Sequence, residues 1–156
     1  AAIRYTSMAV DVSGKPHISY CASGDLKYAS WNGSGWSIQT ADSAGTVGLF
    51  SSLALDSFGN PHISYFYNTN WDLKYASWNG SGWSIQIVDS TGDTGWYTSL
   101  ALDSSDNPHI SYYDQTNDDL KYAAWTGSSW NIYTVDSAGD VGTYTSLALD
   151  SSGNPQ

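Results

Sequence analysis

Three histidines, fifteen aspartates and eight tryptophans carry most of the chemistry this 156-residue chain can offer. His17, His62 and His109 recur at spacings of 45 and 47. Neutral imidazoles brought together on an axis are metal ligands. A residue present once in each unit of a repeat more simply serves the unit, so these histidines are expected to be structural. The aspartates raise the question of calcium. Asp89 and Asp93, like Asp136 and Asp140, lie four residues apart. Ca²⁺ takes six to eight oxygens, which an EF-hand supplies at alternate positions, and these pairs offer too few. Turn formation is the expected role, and no cofactor is expected, Ca²⁺ being the weaker alternative. No serine sits in Gly-x-Ser-x-Gly and no glycine-rich phosphate loop is present, so the chain is not expected to be an enzyme. Cys21 is the only cysteine, which excludes an internal disulfide and a cysteine-based metal site.

The residues that break the repeat say more. Trp71 stands where the next unit has Asp118, and Trp96 where neighbouring connectors have Leu49 and Thr143. Trp71 belongs to the loop between the second and third strands of its unit, and Trp96 to the connector leading into the next. In an up-and-down sheet both loop types emerge on one face. The expected ligand surface is therefore Tyr67, Asn68, Asn70, Trp71, Asp93, Trp96 and Asp114. Rings for stacking beside amides and carboxylates for hydroxyls suit a carbohydrate. The competing expectation is that both tryptophans cover the end of the core.

A plain repeat positions these loops. Asp11, Asp56, Asp103 and Asp150 each open a turn that ends in proline, His-Ile-Ser-Tyr follows at His17, His62 and His109, and Leu-Lys-Tyr-Ala recurs from Leu26, Leu73 and Leu120. Residues 25–39 are identical to residues 72–86. Each unit reads as four short strands separated by Gly, Asn, Asp, Ser and Pro clusters. Four strands every 40 to 50 residues is the pattern of propeller blades. The expected fold is all-β: three four-stranded antiparallel blades (about 5–45, 50–92 and 97–139) plus the first strand of a fourth (about 143–155), with Leu53, Leu55, Leu100 and Leu102 buried. A solenoid or open sandwich stack is the alternative. Three blades are too few to close a ring, so further blades are expected as partners, from copies of the chain or a longer parent.

Five basic residues face fifteen acids, every one of them Asp, for a formal charge of −10. Nucleic acid and anionic membranes need clustered Lys or Arg, and no apolar run reaches the length of a membrane span. Asn32-Gly33-Ser34 and Asn79-Gly80-Ser81 match the N-glycosylation pattern, which Gly/Ser turns produce easily by chance.

The pattern resembles β-propeller repeats of the sialidase-like and lectin-like kind in bacteria and archaea. The Trp-Asn-Gly-Ser-Gly-Trp hairpins, Trp31 to Trp36 and Trp78 to Trp83, resemble hairpins in the blades of fungal and bacterial fucose-binding lectins. Those lectins present an Arg and a Glu in each sugar site, whereas the corresponding strands here read Ile-Ser-Tyr and Leu-Lys-Tyr-Ala. Sialidases clamp a carboxylate with three arginines; one Arg in the chain excludes that activity. His109 with Asp119, Ser111 and Trp125 resembles the buried hydrogen-bond network of WD-type blades. The resemblance implies a non-catalytic binding or adhesion module, carbohydrate the favoured ligand class, in an extracellular or cell-surface setting. A purely structural blade array that forms a ring or filament is the alternative, and a glycosidase-type propeller comes third.

Overall fold

Aspartate turns and alternating side chains give twelve strands and no helix among residues 4–156, which the computed structural model describes. The first sheet is β1 (Arg4–Val10), β2 (Pro16–Ala22), β3 (Asp25–Trp31) and β4 (Trp36–Asp42). The second is β5 (Val47–Leu55), β6 (Pro61–Tyr67), β7 (Asp72–Trp78) and β8 (Trp83–Asp89). The third is β9 (Thr94–Leu102), β10 (Pro108–Asp114), β11 (Asp119–Trp125) and β12 (Trp130–Asp136). Each sheet is antiparallel with its strands in chain order, the arrangement of a propeller blade.

The aspartate turn between first and second strands has the same chemistry in every blade. Asp56 Oδ1 accepts the backbone N–H groups of Phe58 and Asn60 at 2.9 and 2.7 Å, and Asp11, Asp103 and Asp150 do likewise. At the hairpins between third and fourth strands, Asn32 and Asn79 each cap two backbone N–H groups.

The core lies between blades rather than inside one. Leu26, Tyr28 and Ala41 of the first blade pack with Val47, Leu53, Ile63 and Tyr65 of the second. Leu73, Tyr75 and Val88 then pack with Leu100, Ile110 and Tyr112 of the third. Leu53 and Leu100 are buried as expected. Leu55 and Leu102 are only half-buried, because they end their strands beside the turn. First strands are neighbours, β1 on β5 and β5 on β9. Each of them, and the fourth-blade segment after β12, carries an aromatic residue in the left-handed region: Tyr5, Phe50, Tyr97 and Tyr144, at φ 57°, 53°, 53° and 55°. Their rings form a ladder with centroids 4.1, 4.6 and 4.2 Å apart.

The fourth-blade segment follows the path of a first strand. Leu147 N–H donates to Ser99 Oγ at 3.0 Å, as Leu53 does to Ser7 and Leu100 to Ser52. Its only ladder contact is the isolated bridge Leu149–Pro155, since the described residues include no fourth-blade second strand to pair with it.

Two repeated polar networks tie the blades internally and to one another. Inside each blade the histidine Nδ1 is hydrogen-bonded to a tyrosine hydroxyl: His17 to Tyr28, His62 to Tyr75, His109 to Tyr122. The other ring nitrogen faces the turn aspartate at 3.5, 3.5 and 3.6 Å. This corrects the partners expected for His109. Ser111 instead accepts from Thr145 Oγ1, and Asp119 pairs in register with Asp114 at the far end of β11. Between blades, Lys74 Nζ donates to Asp42 Oδ2 at 2.6 Å, and the Tyr65 hydroxyl donates to the same oxygen at 2.7 Å. The next interface repeats this with Lys121 and Tyr112 on Asp89 at 3.1 and 2.6 Å.

Candidate functional site

The loops joining second to third strands, and the connectors joining blades, do emerge together. They are knitted by backbone bonds: Asn68 N–H to Thr46 O at 2.9 Å, Thr94 N–H to Trp71 O at 2.9 Å and Gln115 N–H to Asp93 O at 2.8 Å. Side chains reinforce the join, with Thr69 Oγ1 accepting from Thr46 N–H and Thr116 Oγ1 from Asp93 N–H.

On this face the residues expected from sequence fall into three situations. Asn68, Asn70 and Trp71 are exposed. Trp71 is 57 % accessible with φ at 66°, a backbone outlier for so bulky a residue. Tyr67 is half-buried and lies under the Lys74 ammonium, 4.5 Å from its ring centroid. Trp96 is half-buried against Phe66 and Phe50 at 4.9 and 5.1 Å. Its indole N–H donates to Asp93 Oδ1 at 2.6 Å, so that carboxylate is spent on holding the ring. Asp114 leaves the surface altogether. It is fully buried, and its carboxylate accepts from Thr116 N–H and from the Asn117 amide, with Lys121 Nζ at 3.6 Å. A short loop needs its backbone donors satisfied, and Asp114 supplies the acceptor.

The opposite face, where first strands turn into second and third into fourth, holds a feature not singled out in the sequence. A cleft of about 210 Å³ between the first two blades is lined by Tyr28, Ser30 and Gln39 from one side and Asn60, Pro61 and Trp78 from the other. A cleft of about 190 Å³ between the second and third blades is lined by Tyr75, Ser77, Gln86, Asn107, Pro108 and Trp125. The six residues of one are those of the other moved on by 47 positions. The fourth strands close the outer side. Trp83 indole N–H donates to Gln39 Oε1 at 3.1 Å, and Trp130 to Gln86 Oε1 at 2.9 Å. Trp83 stands edge-on to Tyr28, as Trp130 does to Tyr75. Each cleft thus presents aromatic rings beside hydroxyl and amide groups. These residues escape sequence reasoning because they are spread over separate strands and a turn and come from two blades. The available signal is that Gln39 and Gln86 are polar and identical in strands whose neighbours alternate with apolar residues.

Among the described residues no group of three or more His, Cys, Asp or Glu is arranged to hold a metal ion. Asp89, from the pair considered for calcium, is committed to Thr91, Tyr112 and Lys121.

No family model matches the chain, and no curated protein does. Solved structures are similar in fold. A fucose lectin from Kordia zhangzhouensis in complex with methyl-fucoside is 24 % identical with a TM-score of 0.53, the match covering 83 % of this chain and 99 % of that one. A protein of unknown function from Dyadobacter fermentans is 10 % identical with a TM-score of 0.69, covering 92 % of this chain and 45 % of that one. The SapL1 lectin in complex with alpha methyl fucoside is 17 % identical with a TM-score of 0.60, covering 91 % of this chain and 49 % of that one. The chain therefore spans nearly all of the Kordia lectin and about half of the other two. Identities this low carry the fold.

Proposed function

We propose that this chain is a non-catalytic carbohydrate-binding module whose sugar sites are the clefts between blades. One observation carries the reading: the same Tyr, Ser, Gln, Asn, Pro and Trp line both clefts, 47 residues apart. Uncharged hydroxyl and amide groups match sugar hydroxyls, and an aromatic ring offers a face to the C–H side of a pyranose. The clefts are smaller than the ~300–1,000 Å³ of a drug-sized site, which favours a single terminal residue of a glycan. Structural likeness to fucose lectins supports a sugar as the ligand class.

Exposed Trp71, with Asn68 and Asn70 beside it, is the second candidate contact, supported by its outlying backbone conformation. A glycan array run on the parent and on Trp78→Ala, Trp125→Ala, Trp71→Ala and Trp96→Ala separates the possibilities, with a thermal melt confirming that each variant folds. Loss of a stacking ring costs about 2 kcal/mol or more, roughly a thirtyfold weakening. The expected result is weakening in Trp78→Ala and Trp125→Ala. Trp96→Ala lowers the melting temperature, since its ring packs on Phe50 and Phe66. Weakening confined to Trp71→Ala moves the site to the other face. A parent that binds no glycan leaves the blade array as a structural element.

The same reading has further blades on the outer sheets, from copies of the chain or a longer parent. Trp36 is exposed where Trp83 and Trp130 are packed, and Met8 and Val10 are exposed where Leu53 is buried and Leu55 half-buried. Light scattering on the isolated chain is expected to show self-association; a stable monomer at high concentration contradicts pairing between copies.

A further inference from the structure

The linings of the two clefts differ in two places: His62 lines only the second, and one turn position changes residue type. Gly59 borders the first, and Asp106 takes the equivalent place in the second. The turns of the other blades also have glycine here, Gly14 and Gly153. All four residues adopt a left-handed backbone, with φ of 78°, 83°, 61° and 80° in chain order. Glycine accepts this conformation without steric cost, whereas aspartate holds it only where its surroundings fix it. The surroundings do so here. Asp106 Oδ1 accepts from Ser57 N–H at 2.9 Å and Oδ2 accepts from Ser57 Oγ at 2.6 Å. Both donors belong to the preceding blade, so the carboxylate is anchored across the border between the second and third blades. Besides the phenol of Tyr75, the other ionisable side chain lining that cleft is His62, whose pKa burial holds below the usual histidine value against the pull of Asp56. The first cleft is lined by no ionisable group other than the phenol of Tyr28. One cleft therefore carries a fixed negative charge, and its twin carries none.

We propose that Asp106 is a specificity-determining residue, restricting the second cleft to uncharged sugars while the first also admits acidic ones such as uronic acids. The proposal rests on the reading of the clefts as glycan sites. A carboxylate brought within about 4 Å of another is disfavoured roughly fivefold in water and more strongly in a partly dry cleft. The effect fades as salt screens the pair.

Isothermal titration at low ionic strength tests this, using the methyl α-glycosides of fucose, galactose, glucose and mannose, and methyl α-galacturonide and α-glucuronide as anionic counterparts. In the parent the neutral sugar that binds is expected to fill two sites and a uronide one. Asp106→Asn keeps an acceptor for Ser57 and removes the charge; Asp106→Gly restores the repeat residue. In both, the uronide is expected to gain a second site, at least about fivefold tighter than in the parent, with the gain shrinking at high salt. Gly59→Asp is expected to drive the uronide out of the first cleft. A uronide that fills both parental sites, or that binds no better to Asp106→Asn than to the parent, overturns the role of Asp106 and leaves the glycan reading standing. If no neutral glycoside binds, both fall together.

Discussion

Gly95→Ala is expected to destabilise the chain by about 3–5 kcal/mol, the sum of left-handed strain and overpacking. A methyl group at this position would lie 2.7 Å from Leu73 Cα and 2.9 Å from Leu73 Cβ. Leu73 is fully buried in the preceding blade, and its backbone can retreat only if the blades separate. The φ of 97° adds strain for any residue with a Cβ. Gly48 over Leu26 and Gly142 over Leu120 repeat the contact, so this close approach sets the spacing of the blades. Gly59→Ala is the control. Its φ is 83°, but nothing lies within 4 Å of the added methyl, leaving only the ~1–2 kcal/mol of left-handed strain. Thermal melts of the two variants decide it, with Gly95→Ala lower by on the order of 10 °C. Equal melting temperatures would show that the blade contact yields easily.

Lys74→Ala is expected to cost about 3–5 kcal/mol, because it strands the Asp42 carboxylate in a buried interface. Asp42 and Lys74 are both buried, and they lie 32 residues apart on different blades. Burial works against ionisation of Asp42, but the Lys74 ammonium, the Ala44 N–H and the Tyr65 hydroxyl outweigh it and hold the carboxyl below its ordinary pKa. Asp89 behaves the same way, burial being overcome by Thr91, Tyr112 and Lys121. A carboxyl whose folded pKa is depressed stabilises the fold above its unfolded value, and that contribution is lost as pH falls through the folded value. Stability should therefore hold from neutrality down to about pH 4 and decline below it. Lys74→Ala should flatten that acid limb, since the main counter-charge on Asp42 is gone. Pairing Lys74→Met with Asp42→Asn removes both charges and should recover most of the loss. Urea melts across pH decide the matter; a parent insensitive to acid, or a Lys74→Ala variant as stable as the parent, contradicts it.

What was legible in the sequence follows from how local each signal is. The strands and turns could be read because turn aspartates, hairpin asparagines and alternating side chains act within a few residues. The shared face of Trp71 and Trp96 could be read because it is a matter of strand count. Partners across a sheet or across blades could not. His109 takes Tyr122, thirteen residues away on the next strand, where Asp119, Ser111 and Trp125 were expected. Asp114 looks like any loop carboxylate until the loop is seen to close over it. The clefts need Gln39, Asn60 and Trp78 from two blades at once, and nothing local in the sequence brings them together. Asp106 was not singled out in the sequence, and its meaning depends on Ser57, 49 residues away.

The central claim is that sugars bind between blades, and the tryptophan indole N–H signals of the chain report on it site by site. Eight indoles, assigned by single Trp→Phe substitutions, can be followed in a ¹H–¹⁵N spectrum while a neutral methyl glycoside is titrated. The expected result is a saturable shift of Trp78 and Trp125, accompanied by Trp83 and Trp130, which donate to the cleft glutamines, with Trp71 unmoved. Shifts confined to Trp71, or no saturable shift with any of the four neutral glycosides, would contradict it.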